Sequence, residues 1–377
     1  MTSRRSHKSR IKIFHIVSGD LWAGAEAMAF TLLRRLENNE NVDLSVLVLN
    51  HGTLAERLWE HHIKVHVIDE RTQSFHQVLH KTRKLLHHCS PDIVHSHRYK
   101  ENILALLARG MKKRIRLVCT QHGLPENYGK RVSLQKYFTA KTHLYLLSRF
   151  FSAVVAVSTD VQSFFLNHSG FKKEHVAIIH NGIELPGTLA GRNMTAENFV
   201  IGSSGRLFHV KDYPLLCEVA RSVSMHTREN VRFELAGEGP QREPLETLIK
   251  RYGMGESFLL RGHQEDMDSF YKGLHLYINT SIHEGIPMTV LEALARGLPV
   301  IAPAVGGLTE IITDGVEGFL IPDRDPQNFM EKCLLLLKNQ ELRETMSQAA
   351  RAKIEQNFSA SKMSDEYYRL YCRTLNM

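Results

Sequence analysis

The sequence predicts an α/β protein built from two doubly wound domains. Short apolar segments of strand length alternate with helical patterns along the chain, an arrangement typical of parallel sheets. The chain has 377 residues, which is enough for two domains of ordinary size. A turn-rich stretch at 180–187 and a polar stretch without periodicity at 188–198 interrupt the alternation near its middle.

Seven strands are predicted in the first half and six in the second. They lie at 11–17, 43–49, 64–68, 92–95, 115–120, 153–158, 176–179, 199–202, 232–236, 257–260, 276–279, 299–302 and 318–321. Helical patterns separate them, as at 26–36, 75–88, 102–111, 213–226 and 244–251. We therefore place one domain at 1–187, a second at 188–356, and a C-terminal helix at 357–377 that packs back on the first domain. Because ligands of such sheets bind at the carboxyl ends of strands, the cleft between the domains is the expected site.

Composition and charge argue against several classes of protein. No apolar run reaches membrane-spanning length, and the basic N-terminus is not expected to be a secretory signal because no apolar core follows it. The five cysteines are scattered, so a reducing cytoplasm is the simplest location. The net charge of +8 is compatible with nucleic acid, an anionic membrane surface or phosphorylated ligands. Nucleic acid is not expected as a partner, since no nucleic-acid-binding signature is present.

The most informative segment runs from 283 to 293 and holds two glutamates eight positions apart. Glu284 follows a predicted strand, and Gly285 permits a ligand to approach the backbone closely. Pro287 fits the first turn of a helix that carries Glu292. The free N–H groups near Met288 form an anion site at the start of this helix. The segment thus offers a phosphate seat with two acceptors for sugar or ribose hydroxyls; the alternative is a buried helix with two solvated glutamates.

A loop of small residues after the first strand of the second domain carries two cations. Gly205 lies in the turn, and Arg206 and Lys211 follow, five residues apart. Arg206 can hold phosphate oxygens in a bidentate fork, while Lys211 supplies a point charge. On a leaving diphosphate, both would stabilise the charge that develops as a glycosidic bond breaks. The alternative is a pair of solvated surface cations.

Three further segments offer ligand contacts where predicted strands end. Gly24 lies in a loop after the first strand that lacks the third glycine of a dinucleotide-binding loop, and a plain turn is the alternative. Glu238 and His263 follow two strands of the second domain, where a base or ribose can bind. Glu238 can equally be an acid at a helix N-terminus. Residues 305–310 begin a late helix with two glycines and Glu310, which can equally be a solvated acid.

Histidines end two strands of the first domain. His122 is placed where it can contact a sugar hydroxyl or a reacting group, although a lone histidine is more often structural. His95 and His97 resemble a metal-binding pair, but no third ligand is evident, so no metal site is predicted there. The acids at 323 and 325 are interpreted as part of a turn.

Residues 130–151 interleave basic and aromatic side chains. These are Lys130, Arg131, Lys136, Lys141 and Arg149, with Tyr137, Phe138, Tyr145, Phe150 and Phe151. The pattern is typical of a helix that lies on an anionic membrane, or of an amphipathic helix whose aromatic residues enter the core. The first interpretation predicts a peripheral protein on the inner face of the cell membrane.

Taken together, these segments resemble the retaining glycosyltransferases of family four, which have the GT-B fold. The resemblance covers nearly the whole chain, and its most specific part is the Glu-x7-Glu pattern of Glu284 and Glu292. The segments 205–211, 237–240 and 306–310 fall in the family's order and spacing. The resemblance implies two Rossmann-like domains facing across a cleft. The second domain would bind most of the donor, and the C-terminal helix would cross back to the first.

The resemblance also implies a role for each matching residue. Arg206 and Lys211 would hold the diphosphate, Glu292 the ribose and Glu284 the donor sugar. His122 matches a histidine that approaches the reaction centre. The implied catalytic residues are His122, Glu284, Arg206 and Lys211. The implied donor-binding residues are Gly24, Gly205, Arg206, Lys211, Glu238, His263, Glu284, Gly285, Ile286, Pro287, Met288 and Glu292. Ala23 stands where the family often has a glycine, so this position departs from the pattern.

By this resemblance, the chain is a retaining glycosyltransferase that needs neither a metal nor another cofactor. Its expected donor is a nucleoside-diphosphate sugar, a UDP-hexose above all. The expected acceptor is a hydroxyl of a saccharide or a lipid-linked saccharide in glycolipid or surface-polysaccharide synthesis. The alternatives are a nucleotide-sugar epimerase of the same fold, which needs no acceptor, and a non-catalytic scaffold that binds sugar nucleotides.

Overall fold

The computed structural model of the chain describes residues 10–124, 133–187 and 199–377. The chain divides into two compact units, Met1–Gly182 with Ala360–Met377, and Ile183–Ser359. The sequence placed the corresponding changes after residues 187 and 356. Each unit contains one parallel sheet, as the sequence predicts.

All thirteen predicted strands are present, each within two residues of its predicted bounds. The strands are β1 (Ile11–Val17), β2 (Val42–Val48), β3 (Val65–Val67), β4 (Ile93–Ser96), β5 (Arg116–Gln121), β6 (Ala153–Ala156), β7 (Val176–Ile178), β8 (Phe199–Ser204), β9 (Val231–Ala236), β10 (Phe258–Gly262), β11 (Leu276–Ile278), β12 (Val300–Pro303) and β13 (Gly318–Ile321). Most of these strands are nearly continuous apolar runs. In a parallel sheet that is covered on both faces, the side chains on both sides of a strand are buried.

Most of the helices lie between successive strands, and the last three follow β13. They are α1 (Gly24–Glu37), α2 (Thr53–Glu60), α3 (Phe75–Cys89), α4 (Tyr99–Arg109), α5 (Leu134–Phe150), α6 (Thr159–Leu166), α7 (Tyr213–His226), α8 (Arg242–Arg251), α9 (Met267–Lys272), α10 (Met288–Ala295), α11 (Leu308–Ile311), α12 (Pro326–Lys338), α13 (Gln340–Asn357) and α14 (Ala360–Thr374). Within the described residues, every helix is too short or too polar to cross a membrane.

The strand order of each sheet places the candidate loops. The first sheet has the order β3-β2-β1-β4-β5-β6-β7, and the second has the order β10-β9-β8-β11-β12-β13. The direction of winding therefore reverses between β1 and β4 in the first sheet and between β8 and β11 in the second. Doubly wound sheets bind ligands outside the carboxyl ends of the strands at this reversal. The Gly24 loop follows β1, and the loops that carry Arg206 and Glu284 follow β8 and β11.

The two faces of the first sheet differ in polarity. On one face, Phe14, Ile16 and Val94 belong to an apolar core. On the other face, His15 and His95 are register partners on β1 and β4. The C-terminal helix α14 belongs to this unit and packs on α1, as the sequence predicts. Its buried tyrosines meet the histidine-bearing face.

Candidate functional site

Glycines allow the loops at the end of the second sheet to pack backbone against backbone. A Cβ atom on Gly307 would lie 1.6 Å from the carbonyl oxygen of Gly285, and one on Gly306 would lie 2.1 Å from that of Glu284. Gly205 has φ +146°, a conformation that side chains disfavour, and a Cβ there would lie 2.8 Å from Tyr213 Oη. Gly306 and Gly307 thus allow the loop after β12 to pack directly against the loop after β11.

Lys211 and Glu284 join two of these loops. Lys211 Nζ lies 2.5 Å from Glu284 Oε1, and Ser281 Oγ donates to the same oxygen at 2.6 Å. The lysine and glutamate side chains are only 19% and 13% exposed. Burial alone would raise the pKa of Glu284, but the charge of Lys211 and the hydrogen bonds of Lys211, Ser281 and Asn279 hold that pKa below its usual value. The carboxylate is therefore ionised and suited to accept hydroxyl groups.

Glu292 lies on α10 beside a group of buried hydroxyls. Tyr271 Oη donates to Glu292 Oε2 at 2.9 Å and lies 3.0 Å from Ser204 Oγ. Burial raises the pKa of Glu292, an effect that the hydrogen bond from Tyr271 and the charge of Arg296 oppose. Tyr271 thus fixes one carboxyl oxygen of Glu292 to the end of β8.

The N-terminus of α10 comes four residues after Glu284 in the chain. Pro287 is the residue before the helix, with φ −72°, and not a residue of its first turn as the sequence predicts. The N–H groups of Met288 and Thr289 have no acceptor within the helix because no turn precedes them. Ile286 and Met288 have buried side chains, so this segment can offer a ligand its backbone alone. The helix start is thus a seat for an anion.

Arg206, Glu238 and His263 are more exposed. The Arg206 guanidinium lies 4.8 Å from the ring centre of Phe208. Glu238 accepts from Arg242 at 2.7 Å in an exposed ion pair. Arg206 follows the strand end that Gly205 closes, whereas Glu238 and His263 follow β9 and β10. Their contacts with a ligand remain predictions.

Several residues around this site were not predicted. Arg324 donates to Asp212 and, at 2.5 Å, to the carbonyl oxygen of Ser281, so it ties the β8 and β11 loops to the end of β13. Arg324 and Asp212 are 112 positions apart, and no local pattern links them. The interpretation of the acids at 323 and 325 as a turn agrees with the hydrogen bond from the Asp325 N–H to the Asp323 carboxylate at 3.1 Å. The hydroxyls of Tyr271 and Ser204 were also not predicted, because a buried hydroxyl group has no characteristic sequence pattern.

The first unit holds Gly24 and His122. Gly24 begins α1, and Ala23 is the residue before the helix. Two residues further along this helix, the buried carboxylate of Glu26 accepts a hydrogen bond from Arg98. Arg98 also donates a hydrogen bond to Asp20 at 3.1 Å. The structure thus shows an ion-paired cluster beside Gly24 that the sequence did not predict.

His122 follows β5 and contacts a second histidine. Its Nε2 lies 3.3 Å from His97 Nδ1, while its Nδ1 is buried and has no hydrogen-bond partner among the residues that the structure describes. Burial, with a smaller effect from the charge of Arg98, lowers the pKa of His122 to about 3. The imidazole is therefore neutral near pH 7, with one nitrogen donating and the other accepting.

The reason given for excluding a metal at His95 and His97 was wrong. His15 on β1 supplies the missing third histidine, and ligand atoms of the three residues lie within 4.8 Å of one another. The rings of His95 and His97 are stacked, however, with centroids 4.6 Å apart and planes 18° apart. The lone pair of an imidazole nitrogen lies in the plane of its ring. The lone pairs of two stacked rings therefore lie in parallel planes and do not converge on one metal ion. Every ring nitrogen of the three already has a hydrogen-bonding neighbour.

Comparisons with known proteins match the two halves of the chain separately and the whole chain together. The family described as Glycosyltransferase Family 4 matches residues 22–185, and that described as Glycosyl transferases group 1 matches 192–353. The UDP-Gal:alpha-D-GlcNAc-diphosphoundecaprenol alpha-1,3-galactosyltransferase of Escherichia coli is 23% identical, over 97% of this chain and 98% of its own. The N-acetyl-alpha-D-glucosaminyl L-malate synthase of Bacillus anthracis is 27% identical, over 74% of each. The crystal structure of Anabaena HepE in complex with UDP-glucose superposes with a TM-score of 0.81 at 22% identity, covering 97% of this chain and 100% of HepE.

Proposed function

The chain belongs to glycosyltransferase family four, and on this premise we propose that it moves a hexose from a UDP-sugar to an acceptor hydroxyl with retention of anomeric configuration. Its two Rossmann-like sheets confirm the predicted GT-B fold class. The observation that carries the proposal is the Lys211–Glu284 contact at the strand-order reversal of the second sheet. It places a cation and an ionised carboxylate beside the N-terminus of α10.

In the proposed donor site, cationic groups and N–H donors contact the diphosphate, and carboxyl groups contact the hydroxyls of the hexose and the ribose. Arg206, Lys211 and the first N–H groups of α10 bind the diphosphate, since all are donors to anionic oxygens. Glu284 accepts hydroxyl groups of the hexose, and Glu292 accepts those of the ribose through the carboxyl oxygen that Tyr271 leaves free. Lys211 has three N–H donors, so it can hold Glu284 and a phosphate oxygen together.

The proposed reaction breaks the bond between the anomeric carbon and the diphosphate oxygen. The diphosphate leaves with the bonding electron pair, and Arg206 and Lys211 stabilise its negative charge. The acceptor oxygen bonds to the anomeric carbon on the face that the diphosphate leaves. The acceptor proton passes to a diphosphate oxygen. Because these two cations and the helix N-terminus supply the positive charge, we propose that no metal is required.

The relatives support the finer details of donor and acceptor. The name of the Escherichia coli relative specifies a UDP-sugar and a diphosphoundecaprenol-linked acceptor, and HepE was crystallised with UDP-glucose. We therefore propose a UDP-hexose donor and a lipid-linked saccharide acceptor. An acceptor of this kind would bring the protein to the cytoplasmic face of a membrane.

An exposed surface on α5 supports the proposal that the protein binds a membrane. Leu134, Phe138 and Tyr145 are 76%, 62% and 61% exposed, and with Lys141 they share one face of the helix because they follow helical spacing. Lys141 Nζ lies 5.8 Å from the Tyr137 ring centre. Exposed aromatic residues beside cations match an anionic lipid surface. Lys130 and Arg131, which the sequence pattern also included, lie outside the described residues.

Donor binding and stereochemistry test the proposed reaction. We expect UDP and one UDP-hexose to raise the melting temperature with EDTA present, because a ligand that binds only the folded state stabilises it. Arg206→Ala should abolish this shift, and Arg228→Ala, an equally exposed arginine before β9, should preserve it. The anomeric proton of the product, followed by NMR, should keep the donor's configuration. Inversion would refute retention, and conversion of the donor without an acceptor would establish the epimerase instead.

Vesicle flotation tests the membrane surface. We expect the full chain to float with vesicles of phosphatidylglycerol but not with vesicles of phosphatidylcholine. Replacing Phe138 and Tyr145 by serine should abolish flotation, whereas Phe75→Ser, at an exposed phenylalanine of α3, should not change it. If the α5 variant floats like the wild type, then α5 is not the membrane surface.

A further inference from the structure

Seven polar side chains form one continuous hydrogen-bonded chain through the first unit. Three lie in strands β1, β4 and β5, two directly follow β4 and β5, and two lie on α14. In order of contact they are Tyr367, Thr120, His95, Tyr371, His15, His97 and His122. We refer to these seven residues as the histidine relay. Three of its histidines, His95, His97 and His122, stand out in the sequence, but no sequence pattern connects them.

The first half of the relay joins α14 to the sheet. Tyr367 Oη lies 2.8 Å from Thr120 Oγ1, which lies 2.9 Å from His95 Nε2. Tyr371 Oη lies 2.7 Å from His95 Nδ1 and 3.4 Å from His15 Nε2. All five residues are buried, so water does not compete for these contacts.

The second half leads to the candidate catalytic histidine. His15 Nδ1 lies 3.1 Å from His97 Nε2, and His97 Nδ1 lies 3.3 Å from His122 Nε2. The last nitrogen, His122 Nδ1, is buried and has no partner within the described parts of the chain. The relay therefore has one open end, and that end is the residue expected to contact the donor sugar.

The four histidines are neutral, which couples their tautomers. Burial lowers the pKa of His15 to about 3 and the pKa values of His95 and His97 well below the ordinary value. Burial lowers the pKa of His122 in the same way. A neutral imidazole donates from one nitrogen and accepts at the other. A hydroxyl can accept from both of its neighbours, but its own proton then has no acceptor in the relay. The relay therefore leaves the fewest unpaired protons when all its bonds have the same direction.

Of the two possible directions, one leaves fewer polar groups unsatisfied. If the protons point from His122 towards α14, the Tyr367 hydroxyl has no acceptor among the described residues, and His122 Nδ1 is a bare lone pair. If they point towards His122, every proton from Tyr367 to His97 has an acceptor. Only the His122 Nδ1 proton then lacks one. Buried polar groups are almost always paired, so the second direction is favoured.

We propose that the hydroxyls of Tyr367 and Tyr371 fix the tautomer of His122, so that His122 presents Nδ1–H as a donor to an oxygen of the bound sugar nucleotide. The ligand oxygen completes the one hydrogen bond that the relay leaves unmade. The two tyrosines are thus positioning residues, 245 and 249 positions away from His122 in the sequence. Contact with the ligand depends on the proposed function; the tautomer does not.

Nitrogen NMR of the unliganded full chain, labelled with ¹⁵N-histidine, tests the direction of the relay. We expect His15, His95, His97 and His122 all to carry their proton on Nδ1, with signals assigned through single histidine variants. The opposite direction would place all four protons on Nε2 and would overturn the inference. Equimolar Zn²⁺ should leave these signals unchanged; a shift confined to His15, His95 and His97 would make the cluster a metal site instead.

Removal of single hydroxyls tests the positioning role. Tyr371→Phe keeps the ring but breaks the relay between His95 and His15. We expect a mixture of His122 tautomers and a kcat about 10-fold lower, with the Kd for UDP unchanged. The control is Tyr368→Phe, on the same helix but outside the relay, which should change neither quantity.

Substitutions at Thr120 keep the test decisive if Tyr371→Phe does not fold. Thr120→Val removes the hydroxyl and should act like Tyr371→Phe, whereas Thr120→Ser retains it and should behave like the wild type. A folded variant with altered stability but unchanged tautomers and kcat would show that the relay is only structural. If the wild type transfers no sugar, the proposed function fails, and the NMR result still decides the direction of the relay.

Discussion

Lys211 and Glu284 are 73 positions apart in sequence, yet Lys211 Nζ lies 2.5 Å from Glu284 Oε1. The contact joins the loop after β8 to the loop after β11, where the winding of the second sheet reverses. The lysine keeps a poorly exposed carboxylate ionised, and in the proposed donor site it also binds the diphosphate.

Lys211→Met should lower the free energy of unfolding by about 2 kcal/mol, because Glu284 would lose its counter-charge. Removing one partner of a fully buried pair costs about 3–5 kcal/mol, and the partial exposure of this pair reduces that cost. Adding Glu284→Gln should recover most of the loss. Urea unfolding measures both variants, with exposed Lys250→Met as the control. Equal destabilisation in the single and double variants would show that the charge pair is not responsible.

Glu292→Gln should weaken UDP binding by about 10-fold, because an amide replaces the carboxyl group that is proposed to accept the ribose hydroxyls. The loss should disappear when calorimetry is repeated with 2′,3′-dideoxy-UDP, which lacks the ribose hydroxyls. Glu246→Gln, at an exposed glutamate of α8, should bind both ligands like the wild type. A loss of the same size for both ligands would remove Glu292 from the ribose site.

Gly307→Ala should destabilise the second unit by about 1–3 kcal/mol and weaken UDP binding. The new Cβ would lie 1.6 Å from the Gly285 carbonyl oxygen, so the loops after β11 and β12 would have to separate. Gly255→Ala is the matched control, since a Cβ there meets nothing within 4 Å. Thermal unfolding and UDP titration measure the two effects, and wild-type behaviour of Gly307→Ala would contradict the tight packing.

The free energy of unfolding should fall as the pH drops below 6.5. The folded pKa values of His15 and His122 are about 3, so between pH 6.5 and 3 the unfolded chain binds protons that the folded chain does not. The contribution is complete above 6.5 and declines below it, by about 1.4 kcal/mol per pH unit for each such histidine. Urea unfolding at pH 7.5, 6.5 and 5.5 measures the slope.

A histidine substitution checks that the relay causes this slope. His97→Gln should make it shallower, while His76→Gln, at an exposed position of α3, should leave it unchanged. A free energy of unfolding that stays constant from pH 7.5 to 5.5 would mean that the buried histidines titrate normally.

The strands were predictable because their signal is local. A parallel strand covered on both faces is an apolar run, so β1 and β13 could be located to the residue. The Glu-x7-Glu segment and the Gly205 loop could be singled out for a similar reason, since their glycines and charged residues lie close together in sequence; their contacts with a ligand stay predictions. Helix α10 starts one residue later than the sequence predicts, because proline is compatible both with the first turn of a helix and with the residue before it.

The partners of the site residues depend on distant parts of the chain. Nothing near Arg324 indicates that it binds Asp212, and nothing near His95 indicates a partner 276 positions away at Tyr371. The exclusion of a third histidine failed for this reason, because the register of β1 beside β4 brings His15 next to His95.

The sequence alone determined the α/β class, the order of the elements and the residue types available at the ends of the strands. Only the tertiary structure decided which of these groups are paired and which are neutral, as the contact of Lys211 with Glu284 and the neutral imidazole of His122 illustrate. The physical reason is that strand formation depends on apolar pattern over a few residues. Charge state and hydrogen bonding instead depend on burial and on neighbours brought together by the folded sheets.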